Sequence, residues 1–360
     1  MGQLTPHFVL TLGSLSSNSE RAVGGPVRVD VTRSMGGGAD ALRVDLVQRR
    51  DVQAGDDASV ELGFDGETET VFTGRVVEVA PTLTGVRVLA LGRMDALLRL
   101  RVARSWEDRS VGAIVRDLAD AAGLDVGRVD DGPTLPRFAV DAQSNAATHV
   151  RALAERLGFE LYTDRSGKLM FRALGPAAGL DSAGLGGLAA GAASVASAAG
   201  SAVSGLLGGA SGGTGYEAGK HLIHATALQR SAGVAAMTIG GAGPASSHGD
   251  QSSWWLSTGD DAHKGSAGSG EPLLIRMDAA ARTKDLANRF AAGTLVSAQR
   301  GTRVLRLRTL GRAALELGDT VQVAGAEDEA INASGYVRTL VHRCAASTGF
   351  VTDIGVEVAA

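Results

Sequence analysis

The sequence is short of cysteine, aromatics and net charge, and each shortage excludes something. Of 360 residues only Cys344 is a cysteine. No intramolecular disulfide can frame the fold, and the chain fits a reducing compartment at synthesis. In a strand or turn such a thiol reads as a small buried hydrophobe. Aromatics make up 4% of the chain, fewer than a sugar-stacking adhesin usually carries, so cores must be packed from Val, Leu and Ala. A formal charge of −4 gives no overall pull toward nucleic acid or anionic membrane. The start, MGQLTPHFVLTLGS, lacks a basic region and a continuous apolar core, so no secretion signal is expected.

What is abundant is glycine, 50 residues, concentrated in two stretches. Residues 182–215 carry no charge and consist mostly of Gly, Ala and Ser. Their length admits a membrane helix, but repeated Gly costs about 1 kcal/mol each in a helix and no basic flank is present. The segment reads as a weakly ordered insertion, with a small-residue helix packed in an assembly or touching membrane as the rival. Gly184-x-Gly186-x-x-Ala189 mimics a dinucleotide fingerprint, yet no strand precedes it in a βαβ unit. Residues 240–270 form the second such stretch and read as a flexible loop.

Elsewhere periodicity divides the chain. Segments 27–31 (VRVDV), 41–47, 59–64, 71–79 and 86–91 alternate apolar with polar residues between short Gly- and Asp-rich turns. They predict a sheet with one wet face, closed or nearly closed into a barrel. The period then lengthens. A helix is expected over 108–124, with Val111, Ile114, Val115, Leu118 and Ala121 inward, Asp108 or Ser110 as cap and Gly123 at the stop. A second helix opens at Ser144-Asn145, buries Val150, Leu153, Ala154 and Leu157, and ends at Gly158. A hairpin over 159–163 and 168–172 follows. Beyond the insertion come strands at 221–229 and 234–239 and a helix over 278–295 burying Ala279, Leu286, Ala287, Phe290 and Ala291. The strand 303–308 (RVLRLR) leads into a C-terminal meander from Leu315 to Val358. The fold class is α+β, mainly β: two β-barrel domains, 1–104 and 218–360, a small α/β region at 105–174, and a Gly/Ala/Ser-rich insertion at 175–217.

Candidate chemistry is sparse. His221 and His224 have i,i+3 spacing but fall in a strand, where they point to opposite faces. His342 and Cys344 share a strand face, without an identifiable Asn or Asp to orient the imidazole. Asp56-Asp57, Asp260-Asp261 and Glu327-Asp328-Glu329 occupy polar turns and read as solvated loop tips. Arg49-Arg50 and Arg99, Arg101 and Arg104 lack aromatic interleaving and read as surface or interface charge. No catalytic, metal or cofactor residue is assigned. The adjacent Trp254 and Trp255, set among Ser, Gly and Asp, are costly to leave in water. Either they plug a barrel end or they dock a partner.

Three blocks carry a resemblance: SWEDRSVGAIVRDLADAAGL (105–124), QSNAATHVRALAERLGFELYTDRSGKLMFR (143–172), and LELGDTVQVAG with GYVRTLVHRCAASTGFVTDIGVEV toward the C-terminus. In the same order they resemble blocks of the phage late-control D family, the central tail hubs of contractile phages and injection systems, which the N-terminal part of VgrG proteins shares. The glycine-rich stretches depart from that compact pattern. The resemblance implies a non-enzymatic structural protein, a homotrimer whose paired barrels are tail-tube-like β-barrel domains that adapt a sixfold tail tube to a threefold spike. It implies assembly in the bacterial cytoplasm into a phage tail-like particle or injection system. Implied partners are the tube protein, a separate VgrG/PAAR-like spike, and wedge or LysM-type adaptor proteins, since the oligonucleotide-binding-like barrel and β-helical needle of VgrG chains are missing here. A tail-associated cell-wall hydrolase and a β-rich adhesin or carbohydrate-binding module are the alternatives.

Overall fold

The computed structural model describes residues 4–19, 26–47, 51–178, 214–241, 243–244, 256–257 and 263–358. The N-terminal strands are β1 (Pro6–Leu12), β2 (Leu15–Asn18), β3 (Pro26–Ser34), β4 (Ala41–Leu46), β5 (Asp57–Phe64), β6 (Glu67–Pro81) and β7 (Val86–Gly92). They pair antiparallel in the order β3-β4-β7-β6-β5-β1-β2. Alternation sets which side chains turn inward: Val29 and Val31 of β3, Leu42 and Val44 of β4, and Val60 and Leu62 of β5 share one core. Each such side chain contributes roughly 1.5–3 kcal/mol by leaving water. β1 and β2 were not expected, because the run FVL hides the alternation that buries Leu10 and Leu12.

The middle region holds α1 (Asp95–Arg99), β8 (Arg104–Ser110), α2 (Val111–Ala121), β9 (Val126–Val129), β10 (Thr134–Val140), α3 (Ala146–Leu157), β11 (Phe159–Thr163) and β12 (Leu169–Ala173). Ser110 caps α2 by accepting from Ala113 N at 3.2 Å, and Asn145 caps α3 by accepting from Thr148 N at 2.9 Å. Gly158 ends α3 at φ +70°, a left-handed position that suits Gly. Two expectations fail here. Asp108 lies in β8 rather than at a helix start, and Ala121 is exposed while Ala119 is buried.

The remaining elements are β13 (Thr214–Glu217), β14 (Leu222–Gln229), β15 (Ala236–Gly240), β16 (Gly243–Pro244), β17 (Leu256–Ser257), β18 (Lys264–Gly268), β19 (Leu273–Met277), α4 (Lys284–Gln299), β20 (Arg303–Leu310), β21 (Thr320–Ala324), β22 (Ser334–Ala345) and β23 (Gly349–Val358). β13 falls inside the expected insertion and β18 inside the expected loop. α4 starts later than expected. Thr283 caps it, accepting from Leu286 N at 3.2 Å, while Asp278 pairs with Arg156 at 2.5 Å and Ala279 lies outside the helix. α4 packs on α3 and shares the middle region's core, with Phe290 fully buried. A Cβ on Gly293 would sit 2.3 Å from Arg156 O, so glycine is what lets the two helix backbones approach.

The mainly β class holds, in a more intimate form than two barrels side by side. β22 is shared: Ser334–Tyr336 pair with β21, a register shift follows between Val337 and Thr339, and residues 339–345 pair with β3. One curled sheet therefore runs through eleven strands from β14 to β2, with β21 and β13 branching from β22 to make thirteen. The N-terminal strands curl until Phe64 of β5 meets Phe350 of β23, with ring centroids 5.5 Å apart. β13, β20–β23 and parts of the middle region enclose a third core around Leu305, Val321, Val337 and Ile354.

Candidate assembly interface

Antiparallel register brings the start of β14, the end of β20, the β22–β23 turn, the start of β3, the end of β4 and the β6–β7 turn to one end of the strands. Five large apolar side chains are exposed at that rim: Ile223, Leu310, Val27, Val47 and Leu83. From β14 to β7 is six strand spacings, roughly 29 Å along the sheet at about 4.8 Å each. The two turns that cross the rim, 82–85 (TLTG) and 346–348 (AST), carry no charge. Exposed apolar side chains set among the surface ion pairs Arg28–Asp30 and Arg87–Asp45 have the mixed character of a protein contact surface. The opposite end is occupied. The chain leaves it from β7 into α1, and Gly36 N and Gly37 N of the β3–β4 loop both donate to Leu161 O of β11 at 3.0 Å.

Buried ion pairs lock the three regions behind this rim. Arg33, only 1% exposed, donates from Nε to Asp40 Oδ2 at 3.2 Å and from its two Nη atoms to the carboxylate of Glu316 at 3.1 Å each. Its Nη2 also donates to Thr163 O at 3.0 Å. Arg165 joins Glu316 at 2.6 Å to Glu69 at 3.0 Å. The cluster thus draws on the first half, the middle region and the second half. Burial pushes the Asp40 carboxyl up to about 6, against the opposing pull of Arg33. A second buried acid, Glu160, accepts from Tyr336 Oη at 3.1 Å and Arg338 Nη2 at 3.3 Å. Arg300 Nε lies 3.1 Å from it without hydrogen-bond alignment. Neither Arg33 nor Glu160 was singled out from sequence. Arg33 follows Val29 and Val31 in the inward phase of an alternating strand, and an arginine in that phase is the signal.

His342 and Cys344 do share the buried face of β22. Burial, with Arg33 and Arg165 nearby, drops the imidazole to about 3, and burial raises the thiol to about 11. Both are thereby held neutral, whereas a nucleophile pair requires a basic imidazole and an accessible thiolate. His221 lies in a turn, its Nδ1 accepting from Glu217 N at 3.0 Å, and His224 on β14 contacts Thr226 Oγ1 at 2.9 Å. Asp56 accepts from Gln53 N at 2.8 Å, and Asp328 accepts from Ala330 N at 2.9 Å. Arg99 and Arg104 pair with Asp95 and Asp117. Trp254, Trp255, Asp260, Asp261, Arg49 and Arg50 lie outside the described residues. No helix among the described residues is long and apolar enough to cross a membrane.

Neither a family model nor a curated protein matches the sequence. Among solved structures, the chain is similar to the 43 kDa tail protein of prophage MuSo2 from Shewanella oneidensis. The match has 13% identity, covers 98% of this chain and 99% of that one, and has a TM-score of 0.66. A tail protein from Neisseria meningitidis MC58 matches at 10% identity over 98% and 96% of the two chains, TM-score 0.67. The E. coli c3393 protein matches at 11% identity over 98% and 76%, TM-score 0.56. It is described as a type VI secretion component structurally similar to the T4 bacteriophage tail proteins gp27 and gp5. Over nearly its whole length, this chain has the fold of phage tail proteins.

Proposed function

We propose that the chain is a structural hub of a contractile phage tail or injection-system baseplate, a homotrimer that adapts a sixfold tail tube to a threefold spike. The observation that carries this reading is the shared strand β22. It joins two curled halves into one sheet whose described residues expose an apolar rim, so each subunit offers two adjacent wall segments and three subunits offer six. The tail-protein fold agrees with a structural role. The partners are the tube protein at the bare rim, a separate VgrG/PAAR-like spike, and wedge or LysM-type adaptors. Assembly takes place in the bacterial cytoplasm, and the protein works in the particle.

The test is mass photometry of the purified chain, alone and with spike and tube proteins, beside the rim variant Val47→Lys with Leu83→Lys. A trimer, formed alone or with spike, is expected. The rim variant should keep its fold and trimer but lose tube binding. A persistent monomer that cleaves peptidoglycan, or a rim variant that binds tube like the parent, would refute the proposal.

A further inference from the structure

Among the described residues, the small sheet of β18, β15 and β19 leaves one edge open. β19 pairs only with β15 among the described residues, in parallel and without a register shift, and all five of its residues are exposed. Register puts Leu273, Ile275 and Met277 on the outer face, beside Ala236, Thr238 and Gly240 of β15, so an apolar stripe borders a floor of small residues. Ile275 is 66% exposed. Leu274 faces the other way, at the mouth of a groove of about 410 Å³ between α3 and α4. β19 is therefore open on both faces and apolar apart from Arg276. Along its outer edge Leu273 N donates to Glu271 Oε2 at 2.9 Å, while the main-chain groups of Ile275 and Met277 have no partner among the described residues. Native edge strands are normally blunted by lysine, proline or a bulge. β19 holds no lysine, proline or bulge within its span, although Pro272 directly precedes it. Its one charge, Arg276, makes no ion pair among the described residues.

We infer that β19 is a docking edge that receives an extended strand from a different protein, apolar on both faces and carrying a carboxylate opposite Arg276. The free main chain dictates an extended occupant, and the side chains on both faces dictate its apolar alternation. The unpaired guanidinium sets its charge. A second copy of β19 fits poorly: centred antiparallel on Ile275, it sets Arg276 against Leu274 and leaves both guanidinium groups unpaired. This surface lies away from the bare rim, and the inference stands whether or not the chain is a tail hub.

The experiment uses the full chain and a fluorescent synthetic peptide, Gly-Ile-Val-Asp-Leu-Val-Gly, with a twin in which Lys replaces Asp. Fluorescence polarisation measures binding, hydrogen exchange reads residues 273–277, and thermal melts confirm folding. The Asp peptide should bind and slow exchange across β19. Ile275→Lys should weaken binding about tenfold at an unchanged melting temperature, as a charge on an open edge does. Arg276→Glu should reverse the preference toward the Lys peptide. Absence of binding, or binding indifferent to Ile275→Lys, overturns the inference. So does a dimer that Ile275→Lys abolishes, since the occupant is then a copy. Amides of β19 as protected in the free chain as those of β15 also overturn it, since the edge is then already covered.

Discussion

Replacing Arg33 with methionine tests the buried cluster that ties the three regions. Methionine keeps most of the volume and removes four hydrogen bonds, leaving Asp40 and Glu316 without their shared guanidinium. Breaking one side of a buried pair costs about 3–5 kcal/mol, mostly the penalty on the stranded charge. That penalty disappears when the stranded acid takes up a proton. Asp40 already titrates at about 6 beside Arg33, and without the arginine its carboxyl rises further. Arg33 also holds His342 down, so its removal eases the protonation of that imidazole in acid. Both effects narrow the gap between variant and parent as pH falls. Urea unfolding at pH 7.5 and pH 5 should give a loss of about 3–5 kcal/mol at the first and clearly less at the second. Adding Asp40→Asn should recover part of the loss at pH 7.5. A pH-independent loss, or one below about 0.5 kcal/mol as for an ordinary surface substitution, would refute the reasoning.

His342 falls from 6.5 to about 3 on folding, so the unfolded chain binds more protons between those values and stability is lost as pH drops through that window. At 1.36 kcal/mol per pKa step the ceiling is roughly 5 kcal/mol. Asp40 acts with the opposite sign between about 4 and 6. A urea series across pH should therefore show a flatter acid limb for His342→Gln and a steeper one for Asp40→Asn, and an unchanged limb in His342→Gln would contradict this. Gly293→Ala presses a methyl against the backbone of α3 and should cost about 1–3 kcal/mol; an unchanged melting temperature would show that the helices can separate freely.

Much of the fold was legible because one face of each strand is wet. β3, β4, β7 and β20 alternate cleanly, and Ser110, Asn145 and Gly158 mark helix ends by local hydrogen bonding and a left-handed turn. Where alternation breaks, reading fails. β19 is exposed on both faces and shows no period, whereas β11, buried on both, was found only through the Asp164–Gly167 turn that follows it. The end of β8, residues 108–110, was absorbed into a helix because Asp108 is as good a cap residue as Ser110. The assembly surface is legible only in part. Val27 and Val47 sit at visible strand ends, but the rim exists because β22 finds β3 some three hundred positions earlier in the chain, a register no local pattern encodes. The tryptophan pair singled out from sequence falls outside the described residues, whereas the exposed Leu83 passed as a turn residue.

Domains joined by a linker ordinarily swing relative to each other. Here a single backbone crosses from one curl into the next, with main-chain hydrogen bonds to a different neighbour on each side of its bend. Torque on either curl is carried through covalent bonds and a ladder of amides, so the pair behaves as a stiff beam. At the crossing itself the ladder is interrupted by the irregularity between Val337 and Thr339.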